Sequence, residues 1–188
     1  HVSSNANNTG SPSSSNIAAG IYTCNIIDND TFLIVNNTVV MQGTIEGTTA
    51  ATGYSSCLYT TNNDNLNIKN NIFINVQKGN AGATCKMYSM LLYLRSIESD
   101  FLCDNNNLYS KASGPGTYNI VGHGITTSFD TLAEWQLYAD RDTLSRSQLA
   151  LFKAHNNLRL KSHVYNEGLD NNGIPFSNIF YDIDCNER

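Results

Sequence analysis

The chain has 188 residues, 40% of them hydrophobic and only 14% charged, and sixteen Asp and Glu against eleven Lys and Arg leave a formal charge of −5. A chain of this length buries roughly 70% of its unfolded surface, so one domain with its own core is expected. The basic residues are scattered and outnumbered, which excludes the basic face of a nucleic-acid binder, and no long apolar run is present to span a membrane.

Residues 1–16, "HVSSNANNTGSPSSSN", contain almost nothing apolar and cannot offset their own ordering entropy, so they read as a flexible leader to a single domain over 17–188. From Ile17 onward the pattern is one of short β-rich runs separated by Asn, Asp and Gly clusters. "GIYTCNIID" alternates, and "TFLIVNN", "TVVMQGTIEGT" and "SSCLYTT" follow it. "NLNIKNNIFINVQ" carries Ile72, Ile74 and Val76 at period two. "TCKMYSMLLYLRSIES", "DFLCDNNNLYSKA", "GTYNIVGHGITT" and "LAEWQLYAD" complete eight or nine strands, a spacing that predicts an all-β sandwich or barrel.

The period then changes. In "LYADRDTLSRSQLALF", Ser145 and Gln148 form an S-x-x-Q capping-box pattern flanked by Leu144 and Leu149 at the positions of a hydrophobic staple. Leu149, Leu151, Phe152, His155 and Leu158 continue as an apolar stripe, which predicts one amphipathic helix packed outside the strands.

Five cysteines, Cys24, Cys57, Cys85, Cys103 and Cys185, are spread through the chain without metal-binding spacing, as disulfides of a secreted protein would be. Their odd number leaves a thiol free or paired between chains, so a disulfide-linked or non-covalent dimer is an option. Asn7, Asn29 and Asn36 begin N-x-T sequons and are glycosylation candidates. The absence of an initial Met and of a hydrophobic leader fits a processed chain, and the expected location is extracellular.

The stretch "LYADRDTLSRSQLALF" and the later "IPFSNIFYDIDC" resemble the strand-to-helix connection and final segment of the lipocalin family. Gly20-Ile21-Tyr22 stands where that family has G-x-W. Tyr replaces the family's Trp there, and Asp140 adds one residue before Arg141, so the likeness is specific over 135–185 and architectural over 17–134. The resemblance implies an eight-stranded antiparallel up-and-down barrel with one C-terminal α-helix outside. It also implies Arg141 across the closed end, and a bond from Cys185 to Cys57 or Cys85.

A barrel of that size holds its own side chains or one small ligand. Gly43, Thr44, Thr117, Gly122 and Gly124 would leave lumen volume, and Trp135, Tyr88, Tyr93, Met87, Met90 and His123 are the candidates to line it. If the His123 ring faced the lumen it would be the axial ligand of a haem or bilin, although "GHG" reads first as a kinked strand. Otherwise no cofactor is expected. Asp28-Asn29-Asp30 and Asp170 to Gly173 read as turns, not as calcium loops.

No nucleophile elbow, H-E-x-x-H or phosphate loop is present, so an enzyme is not expected. Two functions follow. The first is a secreted carrier or scavenger of a small apolar or amphipathic molecule. The second is an extracellular recognition or toxin-like protein that binds a protein or glycan through Asn- and Tyr-rich loops, with ten tyrosines available.

Overall fold

A computed structural model of the chain describes residues 17–24, 31–45, 53–63, 65–79, 85–94, 101–123, 127–154, 157–162, 165–169 and 173–175. The strands are β1 (Ile17–Cys24), β2 (Phe32–Val35), β3 (Thr38–Met41), β4 (Thr44–Ile45), β5 (Gly53–Asn63), β6 (Leu66–Lys69), β7 (Ile72–Asn75) and β8 (Lys78–Gly79). They continue with β9 (Cys85–Leu94), β10 (Leu102–Asp104), β11 (Asn107–Ser110), β12 (Thr117–His123) and β13 (Thr127–Phe129). One helix, α1 (Leu132–Ala139), precedes β14 (Phe152–Ala154) and β15 (Asn157–Leu160).

Apart from β13 on β12 and the β14–β15 hairpin, strands pair with their counterparts one turn of chain away, not with their sequence neighbours. β1, β5, β9 and β12 run parallel in one sheet, which β13 closes antiparallel. β2, β6 and β10 form a second parallel sheet, β3, β7 and β11 a third, and β4 pairs β8 in parallel at a further corner. The chain therefore winds as a coil, three successive turns each contributing one strand to the three main sheets and stacking on the turn before, which is the architecture of a parallel β-helix.

This overturns the expected eight-stranded antiparallel up-and-down barrel with a C-terminal helix outside. Alternation fixes which face of a strand is buried but is silent about its neighbour. Three corners reveal the neighbour: "FLIVNN", "LNIKNN" and "FLCDNN" recur along the chain, and their second asparagines, Asn37, Asn71 and Asn106, bond to one another across separations of 34 and 35 residues.

These corners set the register of the coil. Asn36, Asn70 and Asn105 adopt φ of 58°, 57° and 55°, a left-handed turn that asparagine accepts more readily than other side chains. The next asparagine then points inward. Asn71 Oδ1 accepts from the backbone N–H and Nδ2 of Asn37, both at 3.0 Å, and Asn106 Oδ1 accepts from the same two groups of Asn71, again at 3.0 Å. The Nδ2 of Asn71 also donates to Ile34 O at 2.7 Å, and that of Asn106 to Ile68 O at 2.8 Å. A buried corner that would otherwise strand its backbone groups is satisfied turn after turn.

The interior of the coil is lined by apolar side chains in stacked rows. Ile34, Ile68 and Cys103 stack on one wall, Phe73 and Leu108 on another, and Leu58, Met90 and Val121 on the third, all in one buried cluster. In β5 the buried run Ser55, Cys57, Leu58, Thr60 shifts parity between 57 and 58, and Ser56 Oγ donates to Leu58 O there at 2.6 Å. The long strand thus bends within the sheet and keeps both halves against the core. Gly20 sits at this bend because a Cβ would lie 2.3 Å from Val39 Cγ1 and 2.9 Å from Cys57 O.

The helix lies elsewhere than expected. "LAEWQLYAD" forms α1 instead of a strand, started by a capping box in which Thr131 Oγ1 accepts from Glu134 N–H at 3.2 Å and Glu134 Oε2 accepts from Thr131 N–H at 3.0 Å. Asp140, left-handed at φ 52°, ends it. Ser145 and Gln148 do not cap a helix. Ser145 Oγ instead accepts from Asn106 N–H at 2.8 Å and donates to Asp142 Oδ1, while Gln148 exchanges bonds of 2.9 and 2.8 Å with the Asn107 side chain. These contacts hold 145–148 extended beside β11, so tertiary bonds override the local pattern. Leu144 and Leu149, placed in a staple by the sequence, are exposed. Phe152 and Leu158 belong to the β14 and β15 hairpin, and His155 lies outside the described residues.

Helix α1 closes the last turn of the coil. Trp135 is fully buried within the core cluster, its ring 5.6 Å from that of Phe129 and 6.3 Å from that of Phe101, and its Nε1 donates to Asp142 Oδ2 at 2.7 Å. The buried Asp142 carboxylate also accepts from Asn106 Nδ2 at 3.2 Å, so the helix and the asparagine ladder end on one group. Among the described residues there is no barrel end for Arg141 to cross; its Nε donates to Phe101 O at 3.0 Å.

Candidate binding face

The outward positions of the large sheet carry aromatic side chains. Tyr22 and Tyr59 are in register on β1 and β5, and their rings stack with centroids 5.2 Å apart and planes 20° from parallel. The Tyr22 hydroxyl shares a 3.4 Å hydrogen bond with Thr61 Oγ1. Tyr22 is 57% exposed and Tyr59 half-buried. Burial first, and then the neighbouring Tyr22, raise the Tyr59 phenol above its ordinary range, so its hydroxyl stays a neutral donor and acceptor at physiological pH.

Farther along the same face, Tyr54 is half-buried and in register with Lys86, and Tyr88 is in register with Ser56 and Asn119. Tyr88 is buried, and its hydroxyl shares a 3.2 Å bond with Ser128 Oγ on β13. To reach it the ring crosses β12 over Gly122, where a Cβ would meet Tyr88 Cε1 at 2.7 Å and Leu91 Cδ1 at 2.6 Å. A glycine is needed at 122 for that close approach. Burial raises the Tyr88 phenol as well, against a lowering by the Ser128 bond.

The residues expected to line a lumen are not brought together, because no barrel encloses one. Met90 and Trp135 belong to the apolar core, Met87 is buried in the wall of the coil and Tyr88 faces outward. Tyr93 lies on β9 in register with Thr61. Gly43 has a positive φ of 99° and no neighbour within 4 Å of a Cβ, as at an open turn. Cys57, Cys85 and Cys103 are buried free thiols and Cys24 an exposed one. Desolvation raises the three buried thiols, so they pack as small apolar groups. Asn36 stands at a coil corner, while Asn7, Asn29, Gly124, His163 and Cys185 lie outside the described residues.

His123 is half-buried at the end of β12, its Nδ1 3.4 Å from the Tyr138 hydroxyl of α1. Burial lowers its pKa below the ordinary histidine value, so the folded state holds it neutral. The unfolded chain then binds more protons as pH falls through about 6.5, and folding stability drops in that window. A pH series of melting curves is expected to show wild type losing more stability between pH 7 and 5 than His123→Gln; equal slopes would show that this ring carries none of the effect. Among the described residues no three His, Cys, Asp or Glu side chains group as a metal site, and no helix there is long and apolar enough to cross a membrane.

Sequence reasoning passed over Tyr54 and Tyr59. The signal for Tyr59 was the repeated apolar-Tyr-Thr unit, Ile21-Tyr22-Thr23 and Leu58-Tyr59-Thr60, which marks equivalent positions of successive turns, whereas Tyr54 carries no such repeat. The fold and this face define the chain as a parallel β-helix with an aromatic outer wall. Comparison with protein-family models, with curated proteins and with solved structures returned no match, which neither supports nor refutes a lipocalin relationship.

Proposed function

We propose that this chain is a secreted recognition module that binds a neutral polysaccharide along the outer face of its large sheet. The observation that carries this reading is the stacked Tyr22–Tyr59 pair, of which Tyr22 is exposed and Tyr59 half-buried. Tyrosine offers a broad, rigid, amphipathic surface at low entropic cost, and its ring and hydroxyl suit the C–H faces and hydroxyls of a sugar. Parallel strands lie about 4.8 Å apart, so the two rings sit on neighbouring strands as one continuous aromatic platform. Lys86 is the charged member of the Tyr54 row, and a chain of net charge −5 repels polyanions. The carrier reading rested on the lumen of a barrel, and the strands close no barrel.

Affinity electrophoresis through gels containing neutral glucans, mannans or xylans tests the proposal. Wild type is expected to be retarded by at least one of them, and Tyr22→Ala/Tyr59→Ala to lose at least tenfold in affinity, while Leu137→Ala on α1 behaves as wild type. Unretarded wild type, or a double variant retarded equally, would sink it.

A further inference from the structure

The two ends of the coil are unlike. At the α1 end the core is closed by Trp135 and the asparagine ladder finishes on Ser145 and Asp142. At the β1 end the same core rows open to solvent. Phe32 occupies the position that Leu66 holds in the next turn and is 41% exposed, against 1% for Leu66. Val39 is half-buried, whereas Phe73 and Leu108 in the same row are fully buried. Ile21 is likewise half-buried above a fully buried Leu58. The ladder is open as well: Asn37 Nδ2 donates to Asn71 Oδ1 and to Val35 O at 3.1 Å, but its own Oδ1 receives no donor among the described residues.

The strands at this end are the edges of their sheets. Natural edge strands are usually blunted by charge, by proline or by a covering element. β1, β2, β3 and β4 contain neither a charged residue nor a proline, while the inner strands β6 and β9 each carry a lysine. An apolar end face ringed by four uncharged edges is built to be covered by backbone that can hydrogen-bond.

We infer that a second copy of this chain covers it, end to end, about a two-fold axis. A two-fold axis perpendicular to the coil reverses the sense of winding, so if β1 lies on the partner's β1, then β2 lies on the partner's β3. The lengths agree: β1 has eight residues, and β2 and β3 have four each. All the new strand pairs are then antiparallel, a stable pairing geometry. Some 60 Å of strand edge, at about 3.3 Å per residue and roughly 10 Å across, buries on the order of 600 Å² per partner. The total of about 1,200 Å² stands at the lower limit of specific interfaces and implies a dimer that dissociates on dilution. Head-to-tail stacking is blocked by α1, so the assembly stops at two.

Sedimentation velocity of the full chain across a concentration series tests this. Wild type is expected to pass from monomer to dimer below about 100 μM. Phe32→Lys and Leu33→Lys, at exposed positions of β2, are each expected to raise the dimer dissociation constant at least tenfold, and Leu137→Lys at the capped end to leave it unchanged. Because a β2 variant can also unfold, amide exchange of wild type is compared at low and high concentration. Protection of β1 and β3 should grow with concentration. Monomeric wild type at the highest concentration, or concentration-dependent protection on α1 instead, would overturn the inference. It stands independently of the polysaccharide reading, since a monomer can still be retarded by glucan and a dimer need not be.

Discussion

Replacing Asn106 by Ala is expected to lower folding stability by about 3–5 kcal/mol, among the largest losses for one side chain in this protein. The side chain is fully buried and serves two turns of the coil at once. Its oxygen is the acceptor for both the backbone N–H and the Nδ2 of Asn71, and its nitrogen donates to Ile68 O and Asp142 Oδ1. Truncation orphans each of those partners where water does not replace the bond, and leaving buried groups unsatisfied costs more than forming the bonds gained. Urea denaturation followed by circular dichroism measures the change. Asn37→Ala, at the open end of the ladder, is the comparison: its oxygen accepts from no donor among the described residues, so the loss should be clearly smaller. Equal losses would mean that the ladder is not read in the direction described.

Trp135→Ala is expected to cost about 4–5 kcal/mol. The indole fills the end of the core between Phe101 and Phe129, and no rearrangement of a short helix replaces its volume. It also removes the 2.7 Å donor to the buried Asp142 carboxylate. Trp135→Phe separates the two effects, since it keeps most of the packing and deletes the donor. A loss of about 1–3 kcal/mol is expected there. Both are read by far-ultraviolet dichroism in urea, because the variants lack the chain's single tryptophan. If Trp135→Ala unfolds at the wild-type midpoint, α1 is an appendage and does not seal the coil.

Much of the strand content could be read from the chain, and the pairing could not. "SSCLYTT" and "TYNIVGH" are strands as their β-branched and aromatic content predicts. "NLNIKNNIFINVQ" reads as one alternating strand but is broken into β6 and β7 at Asn70-Asn71, because alternation continues across a corner that redirects the backbone. Two capping-box patterns occur in the chain, Thr131 with Glu134 and Ser145 with Gln148. The first starts a helix; the second does not, since Asn106 and Asn107 claim the same polar groups. Sequence alone gives the two equal standing, and only the neighbouring turn decides between them. The candidate face suffered in the same way: each tyrosine is an ordinary strand residue until the register of the coil puts Tyr22 on Tyr59.

The asparagine corners also govern where this molecule can change. From Phe32 to Asn37, Leu66 to Asn71 and Phe101 to Asn106 the chain spans the same number of residues, so one corner is metrically fixed. The opposite side of each turn is not: the path shortens steadily from Asn37–Tyr54 through Asn71–Lys86 to Asn106–Thr117, yet the long strands arrive in register every time. Each ladder rung resets the alignment, so additions and deletions on the far side are absorbed within the turn that bears them. Evolution, or an engineer, can therefore lengthen those loops one at a time and vary what this surface contacts without disturbing the winding beneath.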